Sequence, residues 1–247
     1  MTKKRAGQIH VGTSGWSYDH WKGAFYPEDL PGKRMLEYYA QHFQSVEINS
    51  SFYRLPEQQT LQHWYACTPR DFRFTAKASR YITHMKKLRD PQKTVPAFLD
   101  RISLLEDKLG PILFQLPPRW HFNAARLRDF LGALSREFRY AFEFRDQSWL
   151  NRQTLELLAQ HDVAFCIYEL EGFVTPNEIT TDNIYIRLHG PGEAYQGSYR
   201  HKALAVRAEA FTDWASRGHT VWCYFDNDQH GYAANNAGQL QAILSRQ

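Results

Sequence analysis

Short apolar runs alternate with longer amphipathic runs along the whole chain, and this alternation limits the possible folds more than any other feature. The short runs are rich in β-branched and aromatic residues, which is typical of buried strands. Strands that alternate with helical patterns predict a parallel sheet joined by crossover helices. Eight strands are predicted, at residues 9–14, 45–49, 72–77, 111–116, 140–145, 163–168, 184–189 and 220–226.

Helical periodicity separates most of these strands. Asn123 and Asn151 are predicted N-caps, and Gly110 and Gly218 are predicted helix stops. One link differs, because residues 169–183 are polar and show no helical period. The predicted helices lie near residues 33–43, 58–66, 94–109, 124–136, 152–160, 203–217 and 235–245.

The length of the chain suits one domain. Its 247 residues are 43% hydrophobic, enough for one large core. Eight strands with intervening helices favour a closed barrel over an open sheet. We therefore expect a single (β/α)8 TIM-barrel-like domain over residues 1–247, with an irregular crossover between the sixth and seventh strands.

Composition excludes several classes of protein. The formal net charge of +4 is too small to indicate nucleic-acid binding by itself. The basic start of the chain, residues 1–8, has no apolar segment after it, and no later run is long enough to span a membrane. We expect a cytoplasmic protein. The spacing of Cys67, Cys166 and Cys223 favours buried thiols over a disulfide or zinc site.

Alternate residues of the predicted strands divide into an apolar class and a polar class. In the second strand Val46 and Ile48 share one face, and Glu47 and Asn49 share the other. The apolar class is expected to pack against the helices, so the polar class points into the barrel near the carboxyl ends of the strands, where barrel enzymes carry their sites. This predicted cluster contains Glu47, Asn49, Lys77, Gln115, Glu143, Arg145, Arg187, His189 and Asp226.

The cluster indicates acid/base chemistry on a small molecule. Glu47 and Glu143 beside Lys77 are the candidate catalytic residues, since nearby cations and burial can separate the pKa values of two carboxylates. Arg145 and Arg187 suit a carboxylate or phosphate group. We expect an anionic or polyhydroxylated substrate, such as a sugar, a sugar phosphate or a nucleotide-like molecule, and either hydrolysis or isomerisation.

Further binding residues are predicted around this cluster. Hydrogen bonds to substrate hydroxyl groups are assigned to Asn49, Gln115, His189 and Asn227, and stacking surface to Trp16, Trp21, Tyr53 and Tyr199, with Ser14 in a turn or binding role. The sequence leaves both the cofactor and the oligomeric state unknown.

Three alternatives to this enzyme remain open. One is a purely structural network of paired ions inside the barrel. Another is a module that binds nucleic acid or a metabolite without catalysis. The third is a metal-dependent hydrolase or isomerase, with a divalent ion held by carboxylate and imidazole ligands; its candidate ligands are Glu47, Glu143, His189 and Asp226.

The segments that carry these residues also resemble a known family. They are residues 12–27, 46–56, Trp64 with 68–78, 82–84, 109–118, 141–149, 185–190 and 224–237. Together they resemble the domain of unknown function 72 family, the YecE-like proteins, across nearly the full length. The resemblance implies a TIM-barrel-like fold and no established reaction. It implies functional roles at Ser14, Trp16, Glu47, Asn49, Tyr53, Lys77, Gln115, Glu143, Arg145, Arg187, His189 and Asn227.

One position departs from the family pattern. Where the family usually has tyrosine, phenylalanine and two asparagines, this chain reads Tyr224, Phe225, Asp226 and Asn227. An acid thus replaces an amide. A salt bridge from Asp226 to a neighbouring arginine is the expected consequence.

Overall fold

A computed structural model describes residues 6–246 of the chain. Residues 1–5 of the basic start and Gln247 lie outside the described residues. The strands are β1 (Ile9–Thr13), β2 (Ser45–Ile48), β3 (Arg73–Lys77), β4 (Leu109–Leu116), β5 (Tyr140–Phe144), β6 (Ala164–Leu170), β7 (Phe173–Val174), β8 (Asn183–Leu188) and β9 (Thr220–Phe225). All eight predicted strands are present, and β7 is a short addition.

Helices lie between most of the strands. Asn123 and Asn151 cap the helices that begin at the next residue, since each side-chain oxygen accepts a hydrogen bond from the backbone N–H three residues on. The helix predicted at 94–109 is instead broken into short pieces that end in a 3-10 segment, and Gly110 lies in β4. The helices are α1 (Met35–His42), α2 (Gln58–Cys67), α3 (Pro91–Thr94), α4 (Pro96–Ile102), α5 (Ala124–Gly132), α6 (Arg152–Gln160), α7 (His201–Ser216) and α8 (Tyr232–Leu244).

Eight parallel strands form a nearly closed barrel, which confirms the predicted fold. Their order is β1-β9-β8-β6-β5-β4-β3-β2. Between β1 and β2 the barrel is bridged at Ser14 and Glu47, and the N–H of Gly15 donates to the carbonyl of Glu47 at 2.8 Å. Gly12 permits this approach, because a Cβ there would lie 2.0 Å from the carbonyl oxygen of Ser45.

The crossover from β6 to β8 has no helix among its described residues. β7 forms an antiparallel hairpin with β6. An extended segment, residues 175–182, follows and is called the strap below. Thr180 anchors the strap, because its hydroxyl donates to the carbonyl of Val163 at 2.6 Å and accepts from the N–H of Phe165 at 2.9 Å. This confirms the irregular sixth crossover. An apolar groove of about 590 Å³ lies beside the strap, between α7 and the outer faces of β6 and β8.

Strand alternation divides the interior from the layer under the helices, as predicted. Val46 and Ile48 join the large core between strands and helices, whereas Glu47 points inward. A second, smaller cluster fills the barrel interior below the strand ends. It consists of Leu113, Ala141, Ala164, Cys166, Tyr185, Trp222 and Tyr224. The interior is thus apolar at its centre and ionic above.

Two other expectations concern thiols and membranes. Cys166 and Cys223 are buried free thiols, and Cys67 is partly exposed. No helix within residues 6–246 is long and apolar enough to cross a membrane.

Candidate functional site

Arg187, near the end of β8, is the centre of the strand-end cluster. Its side chain is fully buried and contacts three carboxylates from three different places in the barrel. The Nε atom lies 3.2 and 3.1 Å from the two carboxylate oxygens of Glu47, and Nη2 lies 2.8 Å from Oε1. Nη1 donates to Glu143 at 2.9 Å, and Nη2 donates to Asp226 at 3.1 Å. A guanidinium presents its donors in a fixed fork, so this arrangement fixes all three acids.

Glu47 on β2 has a hydrogen-bond donor at each carboxylate oxygen besides Arg187. The Ser14 hydroxyl donates to Oε1, and the Tyr185 hydroxyl donates to Oε2 at 2.7 Å. Thr75 lies 2.9 Å from the same tyrosine oxygen and acts as its donor, since the tyrosine proton is already used. Glu47 is therefore a fully buried and fully hydrogen-bonded carboxylate.

Glu143 on β5 is held between two arginines. Arg145 Nε donates to Oε1, and Arg187 donates to Oε2. Burial alone would raise the pKa of this carboxyl, but the charges of Arg145 and Arg187 outweigh burial and hold the pKa well below its usual range. Glu143 is thus ionised near neutral pH. The guanidinium of Arg145 also lies 5.0 Å from the ring centroid of Tyr168.

The neighbours of His189 define its tautomer. Nε2 faces Arg145 Nη2 at 2.9 Å and Arg187 Nη1 at 3.4 Å, and Nδ1 faces Asp226 at 3.0 Å. Arginine can only donate, so Nε2 accepts and Nδ1 carries the proton that is donated to Asp226. His189 therefore links the two arginines to Asp226.

Asp226 forms the salt bridge that its position in the sequence predicts. Burial raises the pKa of its carboxyl, but Arg187 and the hydrogen bond from His189 outweigh burial and lower the pKa below its usual value. A single oxygen, Oδ2, accepts from both neighbours. An asparagine could accept the same two bonds through its amide oxygen, without the charge.

Lys77, the last residue of β3, is the one member of the predicted catalytic set with no hydrogen-bond acceptor among residues 6–246. Its amine lies 4.3 Å from the ring centroid of Phe52, and the residue is only 8% exposed. Burial and the positive charge of Arg187 lower the pKa of Lys77 to about 8, against the opposing effect of the three carboxylates. Roughly a fifth of this amine is uncharged at about pH 7.4, far more than for an exposed lysine.

The formal charges of the cluster balance. Glu47, Glu143 and Asp226 carry three negative charges against the two positive charges of Arg145 and Arg187. A protonated Lys77 brings the sum over these three acids and three bases to zero. Because both arginines already bind carboxylates, Lys77 is the cation of this set that remains available to an anionic ligand.

An open groove of about 370 Å³ contains other predicted binding residues. Trp16 packs edge-on against Trp64, with the ring centroids 4.8 Å apart. Tyr53 is 71% exposed, and the side-chain oxygen of Asn49 is buried without a hydrogen-bond partner among the described residues. The structure thus places Trp16, Asn49 and Tyr53 along this groove rather than in the ionic cluster.

The remaining predicted residues occupy different places. Gln115 is partly exposed and lies opposite Glu143 in the β4–β5 register. Asn227 is turned away, because its amide donates to the carbonyl of Gly197 at 2.8 Å and to Asn236 at 2.9 Å. Trp21 and Tyr199 are buried in the core between strands and helices, so neither offers open stacking surface.

Comparison with known proteins gives a family. Residues 10–247 match the family described as "Protein of unknown function DUF72". The chain belongs to the DUF72 family.

Two curated relatives and two solved structures are similar to this DUF72 chain. The UPF0759 protein YecE of Escherichia coli K12 is 35% identical over 146 residues, 56% of this chain and 48% of YecE, so the chain spans about half of that relative. The UPF0759 protein YunF of Bacillus subtilis is 27% identical over 96% of this chain and 94% of its own length.

The two solved structures agree with the barrel. The DUF72 protein of Thermotoga maritima is 30% identical, covers 96% of this chain and 99% of its own, and has a TM-score of 0.87. A DUF72 protein of Enterococcus faecalis, 21% identical, covers 96% of both chains with a TM-score of 0.82. At that identity the second likeness concerns the fold alone.

Sequence reasoning missed several side chains around the site of this DUF72 protein. Tyr185 has the same strand parity as Arg187, so the alternation could have identified it. His84 lies on a π-helical turn after β3, and burial followed by the charge of Lys77 lowers its pKa to about 4. Tyr195 lies in a loop, with its ring 5.3 Å from that of His189. The alternation of strand side chains makes no prediction for His84 and Tyr195, because both lie outside the strands.

The arrangement gives no support to the metal-dependent alternative. Within the part of the DUF72 chain that the structure describes, no group of three His, Cys, Asp or Glu side chains is placed to hold a metal ion. Arg187 lies between the candidate carboxylates, and a guanidinium at that position opposes a cation.

Proposed function

We propose that the strand-end cluster is the active site of an enzyme that performs acid/base chemistry on a small polyhydroxylated or singly anionic molecule. Lys77 is the proton-transfer group of this proposal. The observation that carries it is a lysine at the carboxyl end of a barrel strand that is only 8% exposed and whose amine has no acceptor in residues 6–246.

In this proposal the carboxylates do not act as the acid/base pair that the sequence predicts. Glu143 and Asp226 are held ionised by arginine, so neither has a proton to donate near neutral pH. Lys77, with a pKa of about 8, exchanges its proton in the pH range where a general acid or base is most effective. The acids orient Arg187 and set the potential at Lys77.

The groove beside the cluster supports a hydroxylated substrate. Tyr53 offers exposed ring surface, and the unpartnered oxygen of Asn49 is an acceptor for a hydroxyl group. An anionic group on the substrate would bind best near Lys77, since the arginines are already paired.

A ligand screen tests this proposal. Purified protein is mixed with sugars, sugar acids, sugar phosphates and nucleotides, the change in Tm is measured, and each ligand that stabilises the protein is followed for turnover by proton NMR. We expect at least one stabilising ligand, with turnover abolished in Lys77→Met and retained in the matched variant of an exposed lysine, Lys33→Met.

Two results would contradict the proposal. One is turnover that is equal in Lys77→Met and wild type. The other is the absence of small-molecule binding together with salt-sensitive binding of nucleic acid that Lys77→Met leaves unchanged, which would favour the non-catalytic binding module.

A further inference from the structure

The chain contains two buried lysines whose surroundings differ. Lys108 is 4% exposed, and its amine donates to the carbonyls of Tyr65 and Thr68 at 2.6 and 2.8 Å and to the Thr68 hydroxyl at 3.0 Å. All three ammonium protons are thereby used, so Lys108 is a structural residue. Lys77 is 8% exposed and has no such acceptor among the described residues.

The backbone of Lys77 is nevertheless held firmly. Its carbonyl accepts a hydrogen bond from the Ser51 hydroxyl at 2.6 Å, and that hydroxyl also lies 2.9 Å from the carbonyl of Ile48. The next N–H, of Ala78, donates to the carbonyl of Leu113 at 2.8 Å. The fold therefore fixes the strand end and leaves the amine unbound, which is the arrangement of a reacting group rather than of a packing residue.

From this contrast we propose that Lys77 is a covalent nucleophile that condenses with the carbonyl group of a hydroxylated aldehyde or ketone to form an imine. This inference rests on the proposed function and deepens it, because it names the substrate class as a carbonyl compound. A lysine amine that is desolvated or lies beside another cation is a recognised nucleophile toward carbonyl groups.

The chemistry balances in two steps. The lone pair of Nζ adds to the carbonyl carbon, and the C=O π electrons move to oxygen. The nitrogen then loses one proton and the oxygen gains one, giving a neutral carbinolamine. The nitrogen lone pair then forms the C=N bond as the hydroxyl group leaves with a solvent proton as water. The product is a protonated imine at Lys77.

The charges around Lys77 favour this product. With a neutral Lys77 amine, the three carboxylates exceed the two arginines by one negative charge. A protonated imine restores neutrality, as an ammonium would, and Glu143, Glu47 and Asp226 all favour positive charge at this nitrogen. The cluster therefore stabilises the iminium while burial favours the free amine that forms it.

Reductive trapping tests the proposal. The wild-type protein is incubated near neutral pH with dihydroxyacetone or glyceraldehyde in the presence of cyanoborohydride, and peptides are analysed by mass spectrometry. The lowered pKa gives Lys77 roughly 300-fold more free amine than an exposed lysine at this pH. Among the lysine side chains we expect one main adduct, on Lys77, with Lys108 unmodified. Lys77→Met should lose this lysine adduct, and Lys33→Met should keep it.

The outcomes separate this inference from the proposed function. Adducts spread over exposed lysines, with Lys77 no more modified than Lys33, would overturn the imine. If a ligand is turned over in a Lys77-dependent manner yet no probe is trapped on Lys77, the acid/base proposal stands and the imine fails. A selective adduct on Lys77 supports the imine even if the screen finds no turnover, and then only the acid/base proposal fails.

Discussion

At the scale of single residues, most side chains of the cluster stabilise the fold, and one, Lys77, destabilises it. Arg187 and the three acids satisfy one another, whereas Lys77 is buried without an acceptor among the described residues. A residue that opposes stability at the mouth of a barrel is typical of a functional site. Lys108 shows that this fold can bury a lysine with its amine fully hydrogen-bonded. The lack of an acceptor at Lys77 is therefore not a general consequence of burying lysine.

Replacing Lys77 by methionine is expected to stabilise the protein. The lowered pKa means that the folded state disfavours the ammonium, so Lys77→Met should raise the free energy of unfolding at pH 7 by about 1–3 kcal/mol. This gain is full below pH 8 and disappears as the pH rises toward 10.5, where the unfolded lysine also loses its proton. Urea unfolding at several pH values measures it, and a variant less stable than wild type at pH 7 would refute the expectation.

Asp226→Asn should change the titration of Lys77 without disrupting the site. The amide oxygen can accept from Arg187 and His189, but a negative charge that favours the ammonium is removed. The pKa of Lys77 should fall by roughly half a pH unit or more. The NMR shift of the lysine side-chain carbon next to the amine, followed against pH, measures this change. An unchanged or raised pKa would show that Asp226 does not act on Lys77.

At the scale of elements, the strap between β6 and β8 replaces a crossover helix with side-chain hydrogen bonds. Thr175 accepts from the N–H of Tyr168 at 2.9 Å, and Thr180 serves the other end of β6. These hydroxyls satisfy backbone groups of β6 and so tie the strap to the sheet. The strap therefore positions β8, and with it Arg187, despite its irregular path.

Thr180→Val tests this role of the strap. Valine keeps the shape of threonine but leaves the N–H of Phe165 and the carbonyl of Val163 without their partner, so the free energy of unfolding should fall by about 1–3 kcal/mol. Thr181→Val is the control, because within residues 6–246 the hydrogen bond of that hydroxyl goes to the exposed carboxylate of Asp162. Equal stability of the two variants in urea would mean that the strap is not anchored by Thr180.

At the scale of the whole molecule, one arginine carries the ionic balance of the barrel interior. Arg187→Met should lower the free energy of unfolding by about 3–5 kcal/mol, because three carboxylates lose their common partner. The matched control is Arg217→Met, which removes an exposed pair with Asp213 and should cost no more than about 0.5 kcal/mol.

The pH dependence of Arg187→Met distinguishes lost charge balance from lost packing. In the wild type the lowered pKa values of Glu143 and Asp226 mean that stability is lost as the pH falls through those values. Without the arginine, burial raises the pKa of the acids, so stability should increase as the pH falls from 7 to 5. A variant that becomes less stable over that range would contradict the electrostatic role of Arg187.

Strand alternation predicted much of this molecule from the sequence, and its limits are physical. It placed Glu47, Glu143 and Arg187 on the inward face because side chains on a strand alternate strictly. It failed beyond the strand ends, where Asn49 adopts a helical backbone and turns toward the groove. Asn227 likewise follows β9 and binds a loop. Which arginine pairs with which acid depends on distances that no sequence pattern contains.

The contacts of Arg187 also bear on the order in which the barrel forms. Glu47 and Ser14 lie 140 and 173 positions before it in the chain, so a ribosome makes them long before their partner. A partial barrel of the earlier strands would have to bury Glu47 and Glu143 without Arg187, which is costly. The cluster therefore disfavours closure of an incomplete chain, and stable folding should wait until translation has delivered β8.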